Sequence, residues 1–217
     1  MLARVGSCCD PRGCDEFFGD GFARKMAARY RKRGLDRTSR RMVDFLAAQG
    51  LAGSTVIEIG GGVGEIQIEL LKHGAERTVN LELVGAYDGE ARRLLAEEGL
   101  EDRAERRLHD IAADPEGVEP ADVVVLHRVV CCYPDYERLL GAAADHARRL
   151  LVFSHPPRNL VSRALFAAQN AFFRLRGSEF RTFAHPPVAM LAVLDERGLR
   201  QDFSHRGLIW RVAGLRR

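Results

Sequence analysis

The sequence predicts an α/β fold: a mostly parallel seven-stranded sheet with helices on both faces and a helical lid. Three observations carry this expectation. Short apolar segments alternate with helix-length periodic ones from Thr55 onward. Residues 121–127, Ala-Asp-Val-Val-Val-Leu-His, are nearly continuous in apolar side chains, as a strand covered on both faces requires. A glycine-rich turn, Gly60-Gly61-Gly62-Val63-Gly64, joins the first strand of the alternation to its first helix.

The elements follow in order. Residues 1–14 are small, polar and cysteine-rich and read as an arm. From Asp15 to Arg33 the pattern is helical, with Phe18, Phe22, Met26 and Tyr30 on one face and Gly34 as a stop. A second helix is expected over Asp36–Gln49, burying Met42, Val43, Leu46 and Ala47. The spacing then predicts strands at Thr55–Ile59, Thr78–Leu83, Ala104–Leu108, Ala121–His127 and Leu150–Ser154. The intervening helices fall at Glu65–His73, Gly89–Glu98 and Tyr136–Arg149. Pro156-Pro157 interrupts this alternation. An amphipathic helix follows at Asn159–Arg176, with Leu160, Ala164, Leu165, Ala168, Phe172 and Leu175 near one face. A helix over Val188–Arg197 and two closing strands near Arg200–His205 and Leu208–Ala213 end the chain.

A length of 217 residues suits one domain with a full core. It divides into the arm (1–14), N-terminal lid helices (15–53) and a core (54–217) that carries a lid insertion at 157–186. Apolar residues make up 46%, as in soluble proteins, and the net charge of +3 is too small to mark a nucleic-acid binder. The N-terminal residues lack the apolar run of a signal peptide, and no window is long enough to span a membrane, so the expected location is the cytoplasm. Five cysteines, an odd number, argue against a disulfide framework.

The glycine turn carries the functional reading. Glycines let a ligand approach the main chain, and the helix that follows offers free N–H groups. A dinucleotide fingerprint would place glycine at the sixth position from Gly60, where this chain has Glu65, a residue that would repel a pyrophosphate. The pattern is instead Gly-x-Gly-x-Gly with Glu58 two residues before it. It resembles the first motif of the class I S-adenosylmethionine-dependent methyltransferases, whose Rossmann-like fold binds a sulfonium cofactor without phosphate. The resemblance implies that Glu58, Gly60, Gly61, Gly62 and Gly64 shape the cofactor site. It implies that Glu82, followed by Leu83 at the end of the second strand, holds the ribose, a position where aspartate is the commoner family residue. Tyr87 and Ala91 fit the family's spacing into the second helix. Asp110 and Ile111, after the third strand, fall where the family approaches the adenine.

In open α/β sheets ligands lie beyond the carboxyl ends of the strands. That places His127, Tyr133 and His155 near the transferred methyl. His127 reads either as a cofactor-lining residue or as a general base, and His155 as a second candidate base. The alternatives are hydrogen-bonded strand-end histidines and, for Tyr133, packing. A carboxylate acceptor needs no base. Phe17, Phe18, Phe22, Phe166, Phe172 and Phe173 in the lid segments are core residues or the walls of an apolar acceptor site, and Arg158, Arg163 and Arg174 are candidate partners for acceptor carboxylates. The segment 151–158, Leu-Val-Phe-Ser-His-Pro-Pro-Arg, with the apolar helix after it and a later His185-Pro186, resembles the C-terminal half of magnesium-protoporphyrin O-methyltransferases. That resemblance implies O-methylation of an apolar or aromatic acceptor such as a tetrapyrrole carboxylate.

Cys8, Cys9 and Cys14, with the pair Cys131-Cys132, offer soft ligands for a metal or metalloid, although their spacing is not that of a zinc knuckle. A thiol- or metalloid-linked methyltransferase, and a non-catalytic cofactor-binding protein, are therefore the alternative functions. Nine Lys and Arg residues between Arg24 and Arg41 read as a solvated helix face or, alternatively, as a contact with anionic lipid or an acidic substrate. No nucleic-acid module is recognisable.

Overall fold

In the computed structural model, residues 13–14 and 17–217 are described. One seven-stranded sheet runs through the molecule in the order β3-β2-β1-β4-β5-β7-β6. Its strands are β1 (Thr55–Ile59), β2 (Arg77–Glu82), β3 (Ala104–Leu108), β4 (Ala121–Leu126), β5 (Ala147–His155), β6 (Arg200–Arg206) and β7 (Arg211–Arg216). β1 pairs in parallel with β2 and β4, β2 with β3 and β4 with β5, whereas β7 runs antiparallel to both β5 and β6. β1 and β4 bury both faces, so their side chains divide between two cores, Val123 and Val125 on one side and Val124 and Leu126 on the other.

Helices α1 (Asp20–Arg33), α2 (Arg37–Ala48), α3 (Glu65–Lys72), α4 (Asp88–Glu97), α5 (Tyr136–Asp145), α6 (Leu160–Leu175) and α7 (Pro187–Asp195) cover the sheet. Their ends follow from local chemistry. Gly34 closes α1 at φ 66°, and its N–H bonds to the Tyr30 carbonyl. Asp36 caps α2 by accepting from the N–H groups of Thr38 and Ser39. Asn159 and Ser162 form a reciprocal capping box at α6, and Pro187 sits in the first turn of α7.

Three expectations need correction. Helix α5 ends at Asp145, not Arg149. His146 breaks it, with Nδ1 on the Ala142 carbonyl and Nε2 near the Pro115 and Val118 carbonyls, and β5 begins at once at Ala147. The last strand is Arg211–Arg216, not Leu208–Ala213, because pairing with β5 aligns His155 with Arg211 and Leu150 with Arg216 and buries Val212, Ala213 and Leu215. Leu208 and Ile209 are left exposed before it. The expected apolar face of α6 is not buried: of its 16 residues only Phe173 is.

The face expected from α1 divides in a way that matters for function. The helix buries Ala23, Ala27 and Tyr30. Phe22 and Met26 are only partly covered, and together with Phe18 they form the wall of a cavity at the carboxyl ends of the central strands. Arg29 reaches Glu65 at 3.1 Å and Tyr30 donates to Glu69 at 2.6 Å, which fixes α1 across α3. Among the described residues no helix is long and apolar enough to cross a membrane.

Candidate functional site

The glycine turn leaves β1 at Glu58-Ile59 and makes the floor of a cavity of about 190 Å³. Its conformation requires glycine. Gly60, Gly62 and Gly64 have φ of 65°, 56° and 81°. A Cβ on Gly60 would lie 2.5 Å from Val129 Cγ2, and one on Gly61 would lie 2.5 Å from the Glu58 carboxyl. Gly64 caps α3 in the left-handed conformation and accordingly shapes the turn rather than lining the cavity.

The neighbouring strand ends hold the turn in place. Gly60 donates its N–H to the Leu81 carbonyl at 2.7 Å and Gly61 donates to Asn80 Oδ1 at 3.1 Å. Gly62 donates to Glu82 Oε2 at 2.8 Å, while Glu82 Oε1 accepts from the Leu83 N–H at 2.9 Å. The Val84 N–H also bonds to this carboxylate, whose remaining lone-pair capacity can accept a ligand hydroxyl. Asp110 accepts from the Ala112 N–H and from the Tyr133 hydroxyl, at 3.2 Å to Oδ1 and 3.1 Å to Oδ2. Tyr133 is thus a buried clasp between the segments after β3 and β4, and Ile111 packs beside it.

The lining is acidic. Glu58, Glu65, Glu82 and Asp110 face it, against one arginine, Arg128. Glu58 is buried with no hydrogen-bond partner on Oε2. Burial, and then the charge of Glu65, push its pKa up to about 8. Burial also raises Glu65, opposed by Arg29, and raises Glu82, opposed by the Gly62 and Leu83 N–H groups. A buried carboxylate oxygen without a partner is costly. A cationic ligand compensates it, so this donor set fits the ammonium and sulfonium of S-adenosylmethionine and is unsuited to a phosphate.

His127 lines the same cavity but is held on both ring nitrogens. Nδ1 lies 3.0 Å from Ser154 Oγ and Nε2 lies 3.2 Å from Ser39 Oγ. Ser154 also accepts the Arg128 N–H at 2.9 Å, and Ser39 Oγ lies 3.3 Å from Asp36 Oδ1. One proton arrangement fills the chain: Ser154 donates to Nδ1, Nε2–H donates to Ser39, and Ser39 donates to Asp36. Burial, then the charge of Arg128, hold the His127 pKa down at about 3. His155 is not part of the cavity lining. It succeeds Ser154 in the strand and so points to the opposite face, where it stacks 5.5 Å from Phe153 and its Nδ1 bonds to the Pro156 carbonyl.

A second cavity of about 400 Å³ adjoins the first and shares Phe18, Arg128 and Cys132 with it. Its walls are mainly apolar, among them Phe17, Leu165, Phe166, Phe180, Pro157 and Trp210. Arg128 stands at the junction. It is a non-glycine residue at φ 60°, a conformation that costs about 1 kcal/mol or more. Its guanidinium pairs with Asp36 at 2.5 Å, lies 5.2 Å from the Trp210 ring centroid, and leaves a buried Nε without a partner. Asp36, Ser39 and Arg128 carry no sequence motif, and Ser154 falls in the segment 151–158 without a role assigned to it there. Only the helix start at Asp36 had a signal, through its capping chemistry.

Cys14 lines the first cavity. The Cys131 and Cys132 sulfurs lie 3.6 Å apart. Cys8 and Cys9 lie outside the described residues. Among the described residues no group of three or more His, Cys, Asp or Glu is placed to hold a metal.

A Rossmann-like sheet of this order, with a glycine turn and an acidic cleft at its topological switch, is that of a class I methyltransferase, and the enzyme uses S-adenosylmethionine. The sequence model described as a methyltransferase domain matches residues 26–209, and the chain belongs to that family. No curated protein matches it by sequence. Among solved structures it is similar to magnesium protoporphyrin IX methyltransferase from Synechocystis PCC 6803 with bound S-adenosylhomocysteine. That match has a TM-score of 0.76 at 19% identity and covers 96% of this chain and 100% of the other. The same enzyme with bound S-adenosylmethionine gives 0.69 at 17% identity, covering 98% and 100%. An O-methyltransferase family 2 protein from Planctomyces limnophilus DSM 3776, in complex with apigenin, gives 0.67 at 18% identity, covering 95% of this chain and 64% of the other. At these identities the likeness is one of fold.

Proposed function

We propose that this methyltransferase esterifies a carboxylate on a flat, apolar small molecule, with the first cavity holding the methyl donor and the second the acceptor. The observation that carries this reading is Arg128, a cation with an unpartnered buried Nε where an acidic cavity meets an apolar one. A guanidinium there orients an acceptor carboxylate toward the donor. In this reading Glu82 holds the ribose, Asp110 and Ile111 bound the adenine, Glu58 faces the ammonium, and Gly60, Gly61 and Gly62 form the floor. The donor supplies an activated methyl group, and the protein contributes alignment and the exclusion of water.

The engagement of His127 and Tyr133 supports a carboxylate over a phenol or amine. His127 has both nitrogens engaged and a pKa near 3, and Tyr133 is bonded to Asp110. A carboxylate is already ionised at neutral pH and gives up no proton on alkylation. His127 therefore serves as a neutral positioning residue. The lid segments within 17–53 and 157–186 and the core act as one unit, because the second cavity draws its walls from all three and the first from 17–53 and the core.

The test is methyl transfer from labelled donor to a panel of aromatic and tetrapyrrole carboxylates and matched phenols. Alkali-labile methyl esters are expected. Arg128→Gly is the informative variant, since glycine relieves the φ 60° backbone while removing the cation. We expect a folded protein that still binds the donor, with kcat/KM for the acceptor reduced by about 100-fold or more. Exclusive formation of alkali-stable ethers, or full activity in Arg128→Gly, would overturn the assignment.

A further inference from the structure

Helix α6 leaves most of its apolar surface uncovered. Leu160 is 80% exposed, Val161 68%, Leu165 63%, Phe172 50% and Leu175 87%. Leu208, 97% exposed, and Ile209 precede β7 and join Val161 and Leu165 in lining the second cavity. Isolated exposed leucines are ordinary, but this many on one helix and the adjoining turn mark an interaction surface.

The charges carried by the helix segment and the turn themselves have one sign. Residues 158–178 contain Arg158, Arg163, Arg174 and Arg176 and no carboxylate, and the turn is flanked by Arg206 and Arg211. The basic run between Arg24 and Arg41 differs, since Arg29 pairs with Asp36 and Glu65, and Arg31 with Glu90 and Glu97. A two-fold contact between copies would set this surface against itself, cation against cation with no carboxylate between. Exposed aliphatic side chains interleaved with arginines alone instead match the acyl boundary and headgroups of an anionic bilayer.

We propose that α6 and the Leu208–Ile209 turn seat the enzyme on an anionic lipid surface, with the apolar cavity open toward the membrane. An apolar acceptor dissolved in the bilayer then reaches the cavity without crossing water. The docking rests on the surface alone and does not depend on which acceptor atom is methylated.

The chain's one tryptophan, Trp210, adjoins Ile209 and reports directly. With vesicles of phosphatidylcholine containing 30% phosphatidylglycerol, its emission should shift to the blue and the protein should float with the lipid. Pure phosphatidylcholine should give little of either. Leu160→Ser with Leu175→Ser, two exposed positions outside both cavities, should weaken the lipid affinity by about tenfold or more. Arg163→Gln with Arg174→Gln should weaken it by about thirtyfold, roughly fivefold per arginine. Circular dichroism and calorimetry with S-adenosylmethionine establish that the variants are folded, and they keep a failure of docking separate from a failure of the methyl-transfer reading. Absence of binding to anionic vesicles at low salt overturns the proposal, as does equal binding to neutral ones. A dimer in light scattering that Leu160→Ser with Leu175→Ser dissociates also overturns it, because this surface is then the contact between copies.

Discussion

Glu58 should make cofactor binding depend on pH in a way that can be counted in protons. Its carboxyl is buried, lacks a partner on Oε2, and has a pKa near 8, well above that of a free glutamate. The empty enzyme at pH 6.5 therefore carries Glu58 almost fully protonated, at about 97%. The donor's ammonium is also charged there, because an α-amino group titrates near pH 8. Placing that cation beside Glu58 favours the carboxylate and expels its proton. Calorimetry at pH 6.5 in two buffers of different ionisation enthalpy should report release of about one proton per S-adenosylmethionine bound. Because the protonated form must be discharged first, affinity should fall by about tenfold from pH 7 to pH 6. Glu58→Gln should remove both the proton release and this slope, and should bind more weakly at pH 7. Binding without proton exchange, or a slope that survives Glu58→Gln, would refute the placement of Glu58 against the ammonium.

Two further substitutions probe the turn and the histidine. Gly60→Ala sets a Cβ within 2.5 Å of Val129 on a backbone at φ 65°; a loss of about 2 to 4 kcal/mol in stability or cofactor binding is expected, and thermal unfolding with calorimetry measures each. His127 has a folded pKa near 3, below its unfolded value of about 6.5, so the unfolded chain takes up a proton that the fold refuses and stability drops as the pH falls below 6.5. Relative to His127→Gln, the native protein should lose about 2 kcal/mol between pH 7 and pH 5. Denaturant titration of both proteins isolates this effect, because the opposing contribution of Glu58 cancels in the difference, and parallel slopes would contradict a neutral buried imidazole.

The α/β architecture was legible because its signals are local. β1 matches the expected residues, since an apolar stretch bounded by turn residues defines a strand without reference to the rest of the chain, and β3 matches through its place in the alternation, although three of its five residues are charged. The glycine turn and the carboxylates of Glu58, Glu82 and Asp110 were legible because their positions on consecutive strand ends converge wherever the sheet is parallel. The misplaced last strand has a different origin. Leu208, Ile209 and Trp210 look more strand-like than Gly214, but register with β5 assigns that strand to Arg211–Arg216. The roles of the histidines were also hidden. Whether His127 is a base depends on Ser39 and Ser154, which lie 88 and 27 residues away. Whether His155 reaches the cleft depends on which face of β5 it occupies.

The hydrogen-bonded chain through His127 connects two features that otherwise look separate, the entry into α2 and the cation between the cavities. Asp36 caps α2 with Oδ1 and pairs with Arg128 through Oδ2. Ser39, in the first turn of that helix, meets His127, and Ser154 at the far side of the ring accepts the Arg128 N–H. Arg128 is thus fixed at its backbone by β5 and at its guanidinium by α2, and this explains how a non-glycine residue is kept at φ 60°. A neutral His127 is needed for this arrangement, because an imidazolium has no acceptor to offer Ser154 and would repel the guanidinium beside it. Burial first, and then the arginine held beside it, depress the histidine pKa, and under the proposed function the contacts that engage both ring nitrogens suit an acceptor that arrives already ionised.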